Sequence, residues 1–386
     1  GYSKENLVDD GQPIILYGRM YVQYESVIHD VDTFVPKGSQ GVFSKGNEVI
    51  IPASGETAED ISRASFVDKS GVLLGGDLNI LTPDGGIDPA FLAMEISSGK
   101  VKRDLSSKAQ GKTIVHIHKD DIASLEAGFP SLDEQRKISS VFLGIDSLLS
   151  LHQRKLSKLQ ETKKSLLQNM FPAEGEDRPK IRFAGYTYAW GQESFASVFD
   201  FLSNNTLSRA ELTEEGGEVK DVHYGDVLIK FGEVLDPSKE SIPFVSSLEK
   251  KSIPSKDFLK DGDVIIADTA EDATVGKCTE IVNSNGYSLV SGLHTFPIRP
   301  RKAFGKGYLG FYMNSNSYHN QLVPYMQGIK VTSLSRSAML NTTIAYPKDI
   351  SEQEKIGGAF FQIDSLLSLH QRLRFFENNI LGGNET

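Results

Sequence analysis

From Leu132 to about Met170, apolar residues return in heptad steps at Ile138, Ile145, Leu159 and Leu166, with Phe142, Leu149, Leu156 and Met170 between them. This period predicts one long helix with an apolar seam that packs against a second helix as a coiled coil. At ~1.5 Å per residue such a helix spans about 60 Å. A second helix starts alike at Ile356, Phe360, Ile363 and Leu367. His152 and His370 fall on the two seams, where a polar residue more often fixes register than binds a metal. The expected seam and assembly set is therefore Ile138, Phe142, Ile145, Leu149 and His152 with Ile356, Phe360, Ile363, Leu367 and His370.

Ahead of each helix the pattern changes to short apolar runs that end in small polar residues, which predict strands. GNEVIIPASGE (46–56) in the first half is matched by GDVIIADTAED (262–272) in the second. AQGKTIVHI (109–117) is matched by MQGIKVTSL (326–334), and each leads to an apolar strand expected to end at Pro130 or Pro347. The strongest internal signal is IDSLLSLHQR, which occurs at 145–154 and again, letter for letter, at 363–372. Glu134, Gln135, Lys137, Ile138 and Phe142 recur likewise as Glu352, Gln353, Lys355, Ile356 and Phe360, so the chain is a tandem duplication. Similar scaffolds carrying different loops suit two modules that read different ligands, although duplication followed by drift gives the same appearance.

Composition narrows the function classes. The 386 residues, 39% hydrophobic, suffice for two or three cores. No apolar run approaches the ~20 residues of a membrane span, and the opening GYSKENLVDDGQ has no signal-peptide pattern, so no membrane partner and a cytoplasmic location are expected. The lone Cys278 excludes an internal disulfide and a multi-cysteine zinc site, leaving packing as its role. GKT at 111–113 is not a phosphate-binding loop, because the required first glycine is Ser106. His116 and His118 share one face of a predicted strand without a third ligand, so no metal site is expected. No methyl-donor loop, NPPY-like motif or nuclease constellation occurs, which predicts a non-catalytic chain. A net charge of −10 and a pI near 5.4 argue against an autonomous DNA binder, a class that usually has a pI above ~9.

The residues after the first helix carry a family resemblance. PKIRFAGYTYAW (179–190) resembles the opening of a target-recognition domain in Type I restriction-modification specificity subunits, and it follows LLQNMF (166–171), similar to the close of their central conserved helix. SLDEQRKI (131–138) and ISEQEKI (350–356) resemble the start of each conserved helix, so the likeness covers essentially the whole chain. Two features depart from it. The first half has no counterpart of residues 179 to about 212, and the second helix diverges after Arg372.

The resemblance implies an α+β protein: two β-rich α/β target-recognition domains separated by two long antiparallel coiled-coil helices, related by a pseudo-twofold repeat. The expected divisions are 1–130 and 173–349 for the recognition domains, with 131–172 and 350–386 for the spacer helices. It implies double-stranded DNA with a split recognition site as ligand, two modification (methyltransferase) subunits and restriction subunits as partners, and no cofactor in this chain, S-adenosylmethionine belonging to the modification subunits. Without that resemblance, a duplicated non-catalytic protein-binding scaffold is the alternative, and a two-domain enzyme a weaker one. Loop residues able to donate to bases or phosphates give the candidate DNA contacts: Tyr17, Arg19, Ser54, Gly111, Lys112 and Thr113 in the first half, and Lys230, Thr269, Lys277, His294, Gly328, Lys330, Thr332 and Ser333 in the second. Along 154–165 the basic outer face is expected to be solvated or to meet a partner.

Overall fold

The computed structural model describes residues 2–111, 113–246, 258–328 and 330–381. The chain is mixed α+β and divides into two compact units, Gly1–Leu151 and His152–Thr386. In the first unit, the apolar run of Glu48–Pro52 forms a fully buried strand, as a continuous hydrophobic stretch requires when both its faces are covered. It pairs antiparallel with Ser65–Val67 on one side and Leu78–Leu81 on the other, while Val27–Ile28 runs parallel at the edge. A second four-stranded sheet sets Gln12–Ile15 parallel to Ser70–Leu74, flanked by Phe34–Val35 and Val42–Lys45.

Among the described residues the second unit repeats the first sheet strand for strand and the second sheet in part, with no counterpart of Val42–Lys45 and with Leu212–Thr213 added beside Phe244–Val245. Val264–Ala267 takes the central place between Cys278–Ile281 and Thr295–Pro300, with Val234–Leu235 parallel at the edge. Val219–Val222 runs parallel to Ser288–Ser291 beside Phe244–Val245. The second unit also adds strands. Phe199–Phe201 extends the sheet beyond Thr295–Pro300, and Gly191–Ser194 pairs with Thr343–Tyr346. Both additions come from residues 191–201, and among the described residues the first unit has no equivalent of either. The strand expected to end at Pro130 does not form, and residues 124–131 carry no regular structure. A strand without a ladder partner leaves its backbone groups unpaired, whereas Thr343–Tyr346 has such a partner in Gly191–Ser194.

The two long helices are Leu132–Asn169 and Ile350–Leu381. Neither contains proline, so nothing interrupts the backbone ladder. A buried glutamine fixes the start of each. Gln135 donates to the carbonyls of Pro130 and Gly86 and accepts from the Asp88 amide, while Gln353 donates to the Pro347 carbonyl and accepts from the Gly305 amide. Close approach is needed as well: a Cβ on Gly357 would lie 2.2 Å from the Lys306 carbonyl oxygen. Within the second unit the helices run antiparallel, since residues 152, 163 and 171 meet residues 370, 364 and 360 in that order.

The seam residues divide by environment. Ile356 and Phe360 are buried in the second unit's core, where Phe360 stacks on Phe311 at 4.6 Å and on Phe171 at 6.1 Å. Ile363, Leu367 and His152 are half-buried, and His370 is buried with its Nδ1 3.1 Å from that of His152. In the first unit Ile138 and Leu149 are half-buried, but Phe142 and Ile145 remain 49% and 38% exposed. Among the described residues Phe142 has no aromatic cover like that which Phe171 and Phe311 give its repeat Phe360.

Replacing Gln353 by alanine strands the Gly305 amide and the Pro347 carbonyl in the interior, at a cost of about 1–3 kcal/mol. In urea denaturation Gln353→Ala is expected to lower stability by that amount, while exposed Glu354→Ala is expected to change it by less than about 0.5 kcal/mol.

Candidate nucleic-acid interface

In each unit the central strand exits toward a hairpin loop held by the same backbone bonds. Gln110 and His116 exchange amide-to-carbonyl bonds of 3.0 and 2.8 Å, closing a loop over 111–115. Gln327 and Ser333 exchange bonds of 3.1 and 2.8 Å, closing 328–332. Both loops open on a glycine that cannot be replaced without rearrangement. Gly111 has φ 146° and Gly328 φ 122°, and a Cβ on either would lie 1.9 Å from the carbonyl oxygen of Ile114 or Val331. Each hairpin docks on the strand exit: Val115–His116 pairs with Ser54–Gly55, and Thr332–Ser333 with Thr269–Ala270. The chain beyond is tied down alike, the Ile117 amide donating to the Ala53 carbonyl and the Leu334 amide to the Asp268 carbonyl.

The candidate contacts fall into three groups. Gly111, Thr113, Gly328, Lys330, Thr332 and Ser333 lie on these hairpins, with Ser54 and Thr269 on the strands beneath them. Thr113 and Lys330 are exposed, and neither has a side-chain hydrogen bond or ion pair to the described residues. Lys112 lies outside the described residues. Ser54 is buried and donates to the Asp77 carboxylate, and Thr269 donates to Asp268 at 2.7 Å. His294, 48% exposed, has its Nδ1 3.4 Å from Asp268 and meets the Tyr224 ring edge-on at 5.3 Å. These residues form one cluster in each unit.

The remaining candidates are engaged elsewhere. Arg19 is almost buried and ion-paired to Glu25 and Asp32, with a further bond to the Asp30 carbonyl. Lys277 donates to the Leu228 carbonyl at 2.8 Å, and burial lowers its pKa. Lys230 donates to the Ser241 carbonyl while remaining exposed. Tyr17 is exposed beside Tyr21, whose hydroxyl donates to the Ser54 carbonyl at 2.6 Å. His116 and His118 stack with ring centroids 6.3 Å apart, and no group of three metal-ligating side chains occurs among the described residues.

Three contributors escaped sequence reasoning. Asp77 sits beneath the first hairpin, and the paired glutamines Gln110 and Gln327 close both loops. The glutamines are visible as the shared QG of AQGKT and MQGIK, whereas nothing local marks Asp77. Lys163, on the face expected to be solvated or to meet a partner, turns inward to pair with Glu233 and Asp364 at 2.7 Å each. Burial opposes its charge, but the two carboxylates outweigh that effect and raise its pKa. On the strand Val219–Val222, burial pushes the Asp221 carboxyl up to about 7, despite a hydrogen bond from Asn205. Burial likewise lowers the pKa of neighbouring His223.

No protein-family model matches the chain, and no curated protein matches it. Solved structures do. The S subunit of the Type I restriction-modification system from M. genitalium is 15% identical over 96% of this chain and 87% of its own, with a TM-score of 0.49. A chain from the complex assembly and conformational transition of the type I R-M system is 17% identical over 92% and 85%, with a TM-score of 0.48. The HsdS subunit from Thermoanaerobacter tengcongensis is 18% identical over 86% and 76%, with a TM-score of 0.46.

Two outcomes follow from this geometry. Gly328→Val forces the loop open, so hydrogen exchange is expected to accelerate at the Gln327 and Ser333 amides while core amides of Val264–Ala267 stay protected. Because the fold favours neutral Asp221, its contribution to stability is complete below the ordinary carboxyl value of 3.8 and is lost as pH rises to about 7. Thermal denaturation of Asp221→Asn is therefore expected to fall less steeply than wild type between those pH values, with the two slopes converging above pH 7.

Proposed function

We propose that this chain is the specificity subunit of a Type I restriction-modification enzyme, a non-catalytic protein whose two units each read one part of a split DNA site. The observation that carries this is the repeated hairpin over a strand exit, identical in backbone bonding in the two units and different in side chains. One scaffold holding two sets of donors and acceptors is what reading two different half-sites demands, because base edges are told apart by their hydrogen-bonding pattern. The sequence resemblance at 131–138, 166–171, 179–190 and 350–356 supports the same reading.

Residues 1–130 and 173–349 are the recognition domains in this proposal. The spacer segments 131–172 and 350–386, the last five residues of which lie outside the described residues, set the gap between half-sites and dock two modification subunits, with restriction subunits joining for cleavage. The exposed apolar side chains of Val141, Phe142, Leu148 and Leu151 suit such docking. S-adenosylmethionine binds to the modification subunits, and the assembly works in the cytoplasm. The acidic balance of this chain gives those partners much of the task of neutralising phosphates.

The experiment is gel retardation of DNA carrying the methylated motif of cells that express the complete system. The chain with its modification subunits is expected to shift that DNA and to discriminate against scrambled sequence by at least ~10³-fold, while the chain alone binds weakly. Lys330→Ala is expected to weaken binding by about tenfold. Retardation independent of sequence would overturn the reading in favour of a scaffold, and tight specific binding by the lone chain would remove the role given to the partners.

A further inference from the structure

Among the described residues, three that are not glycine hold a left-handed backbone: Asp77 (φ 65°), Asn283 (φ 56°) and His294 (φ 55°). Asn283 is explained locally, since its side chain donates to Asp236 and accepts from Lys306. The other two occupy the same place in the two units. Each stands two residues after the glycine that follows the parallel strand, Gly75 in one and Gly292 in the other, whose amides donate to Ile15 and Val222. The carbonyl of Asp77 accepts from the Ala53 amide at 2.8 Å, and that of His294 from the Asp268 amide at 3.1 Å. Ala53 and Asp268 are the residues whose carbonyls hold the hairpins.

Glycine would adopt this conformation without strain, yet both units keep a side chain there. Each side chain is exposed at the hairpin's foot and oriented by a polar group at the strand exit, Ser54 for Asp77 and Asp268 for His294. The backbone is common to both units, and the chemistry presented is not.

We infer that Asp77 and His294 are base-selecting positions, one in each unit. This rests on the DNA-reading proposal above and names the residues by which the half-sites differ. A carboxylate accepts hydrogen bonds, so Asp77, with one oxygen engaged by Ser54, selects a base that presents an exocyclic amine in the major groove, cytosine or adenine, and disfavours the O6 of guanine and the O4 of thymine. His294 presents an imidazole edge in the same place, so the second unit selects a different base.

The test is methylome sequencing of cells expressing the complete system with Asp77→Asn or His294→Asn. Asparagine tolerates a left-handed backbone, and Asp77→Gly and His294→Gly serve as variants free of backbone strain. Asn283→Gly is the control expected to leave the motif unchanged. Asp77→Asn is expected to relax one position of one half-site by about tenfold or more, with the other half-site intact. His294→Asn is expected to do the same in the other half-site only. A wild-type split motif that persists unchanged in all four variants would overturn this inference while leaving the DNA-reading proposal standing. A wild-type system with no split motif would overturn both.

Discussion

One backbone carbonyl in each unit ties together three stretches of chain that are distant in sequence. At Ala53 and at Asp268 the central strand ends, yet the carbonyl there must still find a donor, because a buried peptide group left unpaired is costly. It finds one in the amide of Ile117 or Leu334, at the far side of the hairpin, while the amide of the same residue is held by the carbonyl of Asp77 or His294. The strand exit, the left-handed residue and the hairpin are thereby fixed to one another. Side chains placed on these three segments converge however much their sequences differ, which allows one scaffold to present acceptors in one unit and an imidazole in the other.

The long helices are fastened to their units by an equally specific device. Gln135 and Gln353 each use both ends of the amide, so helix and domain are joined by directional bonds as well as by apolar contact. A second repeated residue serves the same attachment. Asp146 accepts from Ser26 at 3.0 Å, and its repeat Asp364 pairs with Lys163, which also holds Glu233. Ser26 and Glu233 immediately precede equivalent edge strands. The repeated decapeptide thus conserves the docking geometry of helix on domain, although the partner residues have changed from a hydroxyl to a carboxylate bridged by an ammonium.

Several cations are engaged inside the units. Arg19, Arg182, Lys163 and Arg299 are all paired with carboxylates in partly or fully buried settings, and Lys277 is held by a carbonyl. Lys330, exposed on its hairpin and without a side-chain partner among the described residues, differs from these engaged cations.

Duplication, the two long helices and the buried central strands were legible in the sequence, because each is written in local periodicity or in literal repetition: IDSLLSLHQR twice, and VIIP against VIIA. The missing strand before Pro130 was not, since residues 124–130 resemble a strand locally and fail to become one only for want of a ladder partner such as Gly191–Ser194. Nor was the fate of individual side chains. Arg19 looked like a free donor and is tied up by Glu25 and Asp32, while Phe142 and Phe360 are the same letter in the same repeat and differ because Phe171 and Phe311 cover only the latter. Asp77 carries no local mark at all. Its place beneath the hairpin arises from a hydrogen bond across sequence-distant strands, and contacts of that kind are decided by how the whole unit closes, not by the pattern along the chain.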